Sequence, residues 1–456
     1  MANPLWTSDE IQEVTAGRLE GKPFKATGVS IDTRSLERGD LFVALAGARD
    51  GHEFVASALE LGAAGALVAR PGPGPSIIVD DALAALAQLG VAARDRSAAL
   101  RCAVTGSVGK TSVTQAIAAG LKLAGRYHSS IKSYNNHIGV PLTLVRMPAD
   151  TQRAVFEVGM NHAGEITPLS HMIAPDVVVI TTVGPVHTEN FPDGEAGVAR
   201  AKTEIFAGLK KGGLAILPAD NRWFGQLKAA ADKAGARVLT FGARDGADAR
   251  LLTFNPRGVV AMIHGRRVKF TLRQTADHWG LSSLAVLLAL EVLKVPRIRA
   301  IRAMSEFEPL EGRGAERQID GFTLIDESYN ANPLSMASAI RTLGARPVSG
   351  RRIVVLTDML ELGEDGPAFH GALAGEIDAA AVDLVFCAGP LMKWLWDVLP
   401  STQQGGYAGT AAELAPLVAK AVRPGDVVMV KGSNGSRAHL VARALSQVQS
   451  DNGGRA

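Results

Sequence analysis

Short runs of apolar residues, broken by glycine, proline and polar clusters, alternate along this chain with longer stretches in which apolar positions recur every three or four residues. The runs read as strands and the stretches as helices. In the first hundred residues, 41–45, 66–68 and 77–79 read as strands, and 52–61 and 81–94 as helices. Pro71-Gly72-Pro73-Gly74-Pro75 between them is an exposed loop. From 99 to about 312, strand and helix signals alternate, which predicts a mostly parallel sheet with helices on its faces. Glu311-Gly312-Arg313-Gly314 reads as a hinge. Beyond it the α/β repeat resumes, with strands at 322–325, 353–356, 382–386 and 427–430. The pattern predicts three α/β domains: a small mixed one at 1–98, a central parallel-sheet domain at 99–312, and a third at 313–456.

One junction of strand and helix carries chemistry. Ala103-Val104 runs into Thr105-Gly106-Ser107-Val108-Gly109-Lys110-Thr111-Ser112, and Val113, Ile117 and Leu121 follow at helical spacing. Backbone N–H groups of such a loop and the helix start face a phosphate, the Lys110 ammonium reaches the terminal phosphates, and the Thr111 hydroxyl meets Mg²⁺. Residues 106–112 are thus candidates for ATP binding in a P-loop ATPase domain. The usual loop has a glycine where this chain has Val104, so the pattern is a narrower variant. A glycine turn beside an exposed lysine is the structural alternative.

Composition narrows the class. The chain has 456 residues, too many for one ordinary domain, and its 47% apolar and 20% charged content describes a globular protein with ample core. A net charge of +3 gives no electrostatic reason to expect nucleic acid or a membrane surface as partner. Cys102 and Cys387 lie far apart in apolar runs, which fits a reducing cytoplasm. The N-terminus lacks the features of a signal peptide, and the longest apolar stretch, 284–290, is too short to insert in a membrane. A cytoplasmic monomer is expected.

Ligand crevices of parallel sheets lie at the carboxyl ends of strands, and several polar residues stand there. Glu157 closes one apolar run, His187 follows another through Gly184-Pro185-Val186, and Lys202 lies in the next helix. Glu157 can hold Mg²⁺ or be an edge charge; His187 is an uncommon Mg²⁺ ligand on chemical grounds; Lys202 can be a solvated lysine paired with Glu204. Asn135 and Asn136 offer amides to a sugar or peptide, or shape a turn. Ser30, Thr33 and Arg34 can hold a phosphate or form a turn with a surface salt bridge. The third domain is Rossmann-like, but no G-x-G-x-x-G opens its first helix, so NAD is not expected.

Taken in order, the motifs T-G-S-V-G-K-T-S, Y-N-N-H-I-G-V-P, E-V-G-M-N-H-A-G-E-I, V-G-P-V-H, A-K-T-E-I, D-E-S-Y-N-A-N-P-L-S and V-K-G-S-N-G-S span the three domains, and the chain closely resembles the ATP-dependent Mur ligases. The asparagine pair with Y-N-A-N-P points within that family to the ligase acting on UDP-N-acetylmuramoyl-tripeptide and D-alanyl-D-alanine in peptidoglycan synthesis. The resemblance implies that ATP transfers a phosphoryl group to the tripeptide carboxylate, and that the dipeptide amine then displaces phosphate. It implies catalytic roles for Lys110, Glu157, His187 and Lys202, with Thr111, Glu157, His187 and a carbamylated Lys202 as Mg²⁺ ligands. It also implies ATP contacts from Arg313, Asp326, Tyr329, Asn330 and Asn332, UDP-muramoyl peptide contacts from Asn135 and Asn136, and a uridine diphosphate site around Ser30, Thr33 and Arg34. The chain departs from the family where His278, Trp279 and Ser282 replace a pattern with two asparagines, so adenine contacts there are left unassigned. It also has Thr357-Asp358-Met359 where Gly-Asp-Met is common. A sibling ligase adding one amino acid, or glutamate to a folate, is the nearest alternative; a P-loop kinase or nucleotide switch is the more distant one.

Overall fold

A computed structural model describes residues 4–447 except Ala48, Lys132, His187, Pro256 and Arg257. The first sheet has five short strands in the order Arg18–Glu20, Ser76–Ile78, Gly65–Val68, Asp40–Val43, Gly28–Ser30, parallel except for the first pair. Alternate residues serve opposite faces. Leu41, Val43 and Leu67 enter one apolar cluster, while Phe42, Ala66 and Val68 enter another. That two-sided burial is why these strands read as unbroken apolar runs.

The first of these clusters continues past residue 98. Leu142 and Val145 of helix Gly139–Val145 belong to it with Trp6, Leu41 and Leu86. Helix Ala82–Asp95 crosses that helix at Gly90, where a Cβ would lie 3.2 Å from the Pro141 carbonyl oxygen. Trp6 Nε1 donates to Val145 O at 2.9 Å, and Arg146 Nε donates to Val29 O at 2.7 Å. The N-terminal unit is therefore seated on the loop-and-helix segment that carries Asn135 and Asn136.

The central sheet has nine strands in the order Arg266–Phe270, Gly258–Ile263, Ala249–Asn255, Arg237–Gly242, Leu214–Pro218, Val177–Ile180, Leu100–Thr105, Arg153–Glu157, Tyr127–Ser129. Seven neighbouring strands run parallel, from Ala249–Asn255 to Tyr127–Ser129. The other two turn back as an antiparallel meander. His264 and Gly265 both have positive φ, the geometry of a tight hairpin turn, and so short a connection leaves no room for a crossover helix. Cys102 and Val104 face a layer that includes helices Lys110–Lys122 and His278–Val292, while Ala103 faces the layer containing Ile166–Ile173 and Glu195–Thr203. The apolar run 177–183 pairs as a strand only to Ile180; Thr181 to Val183 bend over the nucleotide loop.

The third sheet is ordered Ala315–Ile319, Phe322–Glu327, Val427–Lys431, Arg352–Thr357, Leu384–Ala388, Gln404–Ala408, antiparallel only at its first pair. Val427–Lys431, late in the chain, thus lies beside Phe322–Glu327 and brings its K-G-S segment against the S-Y-N-A-N segment. Among the described residues no helix is long and apolar enough to cross a membrane.

Candidate active site

The Thr105–Ser112 loop owes its shape to two glycines in left-handed or extended-positive backbone, Gly106 at φ +148° and Gly109 at +86°. A Cβ on Gly106 would come within 2.0 Å of Thr181 Oγ1, so a side chain there is excluded on space as well as backbone. Thr181 Oγ1 donates to Val108 O at 2.5 Å, and Ser107 Oγ donates to Gly184 O at 3.1 Å. Helix Lys110–Lys122 then begins without a side-chain cap, which leaves its first turn facing the cleft as an anion cradle. Lys110 Nζ folds back onto Gly106 O at 2.9 Å. Burial pulls its pKa down, and the nearby Glu157 carboxylate opposes that shift.

The parallel register places Glu157 beside Val104, one strand over. Its Oε1 accepts from Asn135 Nδ2 at 2.7 Å, and its Oε2 is buried with no hydrogen-bond partner among the described residues. Thr111 Oγ1 lies 2.9 Å from Ser133 Oγ. A partnerless buried carboxylate oxygen is costly, and here it stands with hydroxyls in an oxygen-only set that suits Mg²⁺. The residues present fit that ion. Among the described residues no group of three or more His, Cys, Asp or Glu could hold a metal, so any ion here would also draw on phosphate or water oxygens. His187 lies outside the described residues.

Lys202 is 1% exposed and does not line the cleft. Burial first, and the Lys110 charge second, hold its pKa well below the usual lysine value, against Glu204 and Glu165. Asn135 faces the cleft. Asn136 does not: its Oδ1 accepts from Ile138 N at 3.2 Å and Gly139 N at 2.9 Å and so starts the next helix. Ser30, Thr33 and Arg34 are also off the cleft. Ser30 Oγ donates to Asp32 O at 3.0 Å, and Arg34 pairs with Asp32 at the surface, the turn-and-salt-bridge arrangement open to this segment from sequence.

The opposite wall comes from the third domain. Arg313 stacks 3.9 Å over the Tyr329 ring and donates from Nη2 to Ser133 Oγ at 3.3 Å. Tyr329 and Asn330 line the cleft on a turn whose ends are tied. Asp326 Oδ1 accepts from Ser328 N at 3.1 Å and Ser328 Oγ at 2.6 Å, and Asn332 Oδ1 accepts from Ser335 N at 3.0 Å to cap helix Pro333–Gly344. Asn332 also lines the cleft; Asp326 does not. The cleft holds about 810 Å³, within the range of pockets that take sizeable small-molecule ligands.

Two family models match the chain, the Mur ligase middle domain at residues 104–290 and the Mur ligase glutamate ligase domain at 312–434. The chain is 32% identical over 452 residues to the UDP-N-acetylmuramoyl-tripeptide–D-alanyl-D-alanine ligase of Bacillus subtilis (strain 168), covering 96% of this chain and 98% of that protein. The chain belongs to the Mur ligase family. The protein of that name from Escherichia coli (strain K12) is 32% identical over 459 residues, with 97% and 98% covered. Among solved structures, MurF from Acinetobacter baumannii superposes with a TM-score of 0.85 at 26% identity, covering 97% of this chain and 99% of that one. MurF from Thermotoga maritima, solved with ADP, shares the fold with a TM-score of 0.77 at 23% identity, over 93% and 98%.

In this Mur ligase the departures noted in sequence separate cleanly. Trp279 is buried, its ring 5.6 Å from that of Phe307, and it packs rather than faces the cleft, which His278 and Ser282 do line. Sequence reasoning missed Ser133, which bonds both Thr111 and Arg313. It also missed Lys431, whose Nζ donates to Glu327 Oε2 and Asn330 O, each at 3.2 Å. The signal for Ser133 was its place at the head of Y-N-N-H-I-G-V-P, and for Lys431 its place at a strand end in V-K-G-S-N-G-S.

Proposed function

We propose that this Mur ligase joins D-alanyl-D-alanine to UDP-N-acetylmuramoyl-tripeptide, using ATP and forming an acyl phosphate on the tripeptide carboxylate. The end-to-end similarity to ligases of that name supports the choice of substrates. The observation that carries the phosphoryl step is the meeting of Lys110, Thr111 and the partnerless Glu157 Oε2 in one cleft. The work divides among three units, 1–98, 99–312 and 313–456.

ATP lies with its phosphates against residues 106–112, where the loop amides and Lys110 take up negative charge. Thr111, Glu157, His187 and the carbamate of Lys202, whose unmodified side chain lies off the cleft, would hold Mg²⁺, which when bound supplies positive charge to the transferring phosphoryl group. The tripeptide carboxylate attacks the γ-phosphorus, ADP leaves, and the dipeptide amine then attacks the acyl phosphate carbonyl and expels phosphate. Arg313, Tyr329, Asn330 and Asn332 close the cleft from the third domain, with Asp326 bracing their turn, and exclude water from the acyl phosphate. Asn135, which lines the cleft, and Asn136 beside it bind the UDP-muramoyl peptide, whose uridine diphosphate extends off the cleft to the Ser30 to Arg34 region.

Lys202 is carbamylated: its neutral amine attacks CO₂, a C–N bond forms and one proton leaves. Support comes from its burial, with the Lys110 charge nearby, which lowers its pKa well below the usual lysine value and so favours the neutral amine, and from the benefit of replacing a cation by an anionic oxygen ligand. One chain supplies every wall of the cleft, so a monomer suffices, and the need for ATP places the enzyme in the cytoplasm. The test is ADP release with substrates omitted in turn. Release requires both UDP-N-acetylmuramoyl-tripeptide and D-alanyl-D-alanine; turnover with a single amino acid in place of the dipeptide would assign the chain to a sibling ligase.

A further inference from the structure

The N-terminus of helix Ile166–Ile173 has no side-chain cap of its own. Glu204, nearly forty residues later, supplies one. Its Oε1 accepts from Gly164 N at 2.7 Å, and its Oε2 accepts from Ile166 N at 3.1 Å, Thr167 N at 3.3 Å and Thr167 Oγ1 at 3.4 Å. A carboxylate at this end of a helix also meets the positive end of the helix dipole. Glu204 follows Lys202 by two residues, where helix Glu195–Thr203 ends, so one turn of chain carries both the buried lysine and this anchor.

The anchored segment leads directly to the cleft. Glu165 Oε2 accepts from Asn161 N at 2.8 Å, and Asn161 lines the cleft wall. Gly159, just before it, donates from N to Asn135 O at 2.7 Å and packs so closely that a Cβ would lie 2.8 Å from Asn135 Cγ. Asn135 in turn holds Glu157 Oε1. A continuous set of contacts therefore runs from Glu204, through residues 159–167, to the carboxylate proposed to hold Mg²⁺.

We infer that Glu204 is a positioning residue of this site: it fixes the turn at 161–165 and, through Gly159, the seat of Asn135 against Glu157. The inference rests on the function proposed above for its link to turnover, but the anchoring itself can be measured without turnover. The full-length enzyme is compared with Glu204→Ala and Glu204→Gln. In Glu204→Ala, amide exchange at Gly164, Ile166 and Thr167 rises about tenfold or more, while helix Lys110–Lys122 keeps wild-type protection. With ATP, UDP-N-acetylmuramoyl-tripeptide and D-alanyl-D-alanine, kcat falls about tenfold or more, and KM for ATP stays within about threefold because residues 106–112 are untouched. Glu204→Gln keeps one acceptor oxygen and recovers part of the kcat. Unchanged exchange at the three amides overturns the anchoring. Raised exchange with wild-type kcat, or a Gln variant no better than Ala, overturns the positioning role. A wild-type enzyme that turns over none of these substrates counts against the proposed function alone, and the exchange data still decide the anchor.

Discussion

Asn135 donates to one oxygen of Glu157 at 2.7 Å, while the other oxygen is buried and has no hydrogen-bond partner among the described residues. The pair divides a carboxylate into a held side and a side left for a ligand. Glu157→Gln removes the charge but keeps the shape. It is expected to lower kcat about a hundredfold or more while leaving the melting temperature of the ligand-free protein unchanged or raised, because an unpaired buried charge has been removed. The decisive readout is thermal shift. Mg²⁺ with ADP stabilises the wild type by mass action, and the shift is largely lost in Glu157→Gln. An equal shift in both proteins would remove Glu157 from the metal site.

Lys202→Ala is expected to lose nearly all activity and to regain part of it with a short carboxylate added in the buffer, since the carboxylate replaces the missing carbamate oxygen. ¹³C-bicarbonate NMR should show a carbamate signal in the wild type that Lys202→Ala lacks. Absence of that signal in active wild-type enzyme would contradict the modification.

Arg313 contributes both a plane stacked on Tyr329 and a hydrogen bond across to Ser133. Lysine preserves the charge and neither contact. Arg313→Lys should therefore lower kcat about tenfold or more, close to the effect of Arg313→Ala. Wild-type kcat in Arg313→Lys would show that only the charge matters.

His128 is half-buried against Phe156, its Nε2 2.6 Å from Thr143 O, and desolvation of its ring lowers its pKa from 6.5 to about 4. Because the unfolded chain binds this proton more readily, stability falls as pH drops through 6.5 and continues falling to about pH 4. Between pH 7 and pH 5 the loss from this group is about 2 kcal/mol. Urea denaturation of His128→Gln should show that much less pH dependence over the same interval, even if the variant is less stable at pH 7.

Much of this was legible in the chain. The glycines and Lys110 announced the anion cradle because a tight turn and a helix start need those residue types locally, and the strand runs announced parallel sheets because both faces are covered. What depended on distant pairing was harder to read. The places of Ser133 and Lys431 in their motifs were visible but their partners were not: Ser133 meets Arg313 only once the central and third units face each other, and Lys431 meets Asn330 only once strand Val427–Lys431 pairs beside Phe322–Glu327. Asn136 had two readings open, a ligand group or a turn former, and its oxygen accepts from the amides of Ile138 and Gly139, the turn-forming role. Trp279, where the sequence leaves adenine contacts unassigned, packs with the ring of Phe307.

The central claim is that Lys110, Thr111 and Glu157 serve transfer of a phosphoryl group to a carboxylate. It is tested most directly by labelling both oxygens of the tripeptide carboxylate with ¹⁸O and analysing the phosphate released during ligation with ATP and D-alanyl-D-alanine. The account predicts one ¹⁸O atom in each phosphate, carried over when the amine breaks the acyl–oxygen bond. Phosphate free of ¹⁸O, with the amide product formed, would contradict it.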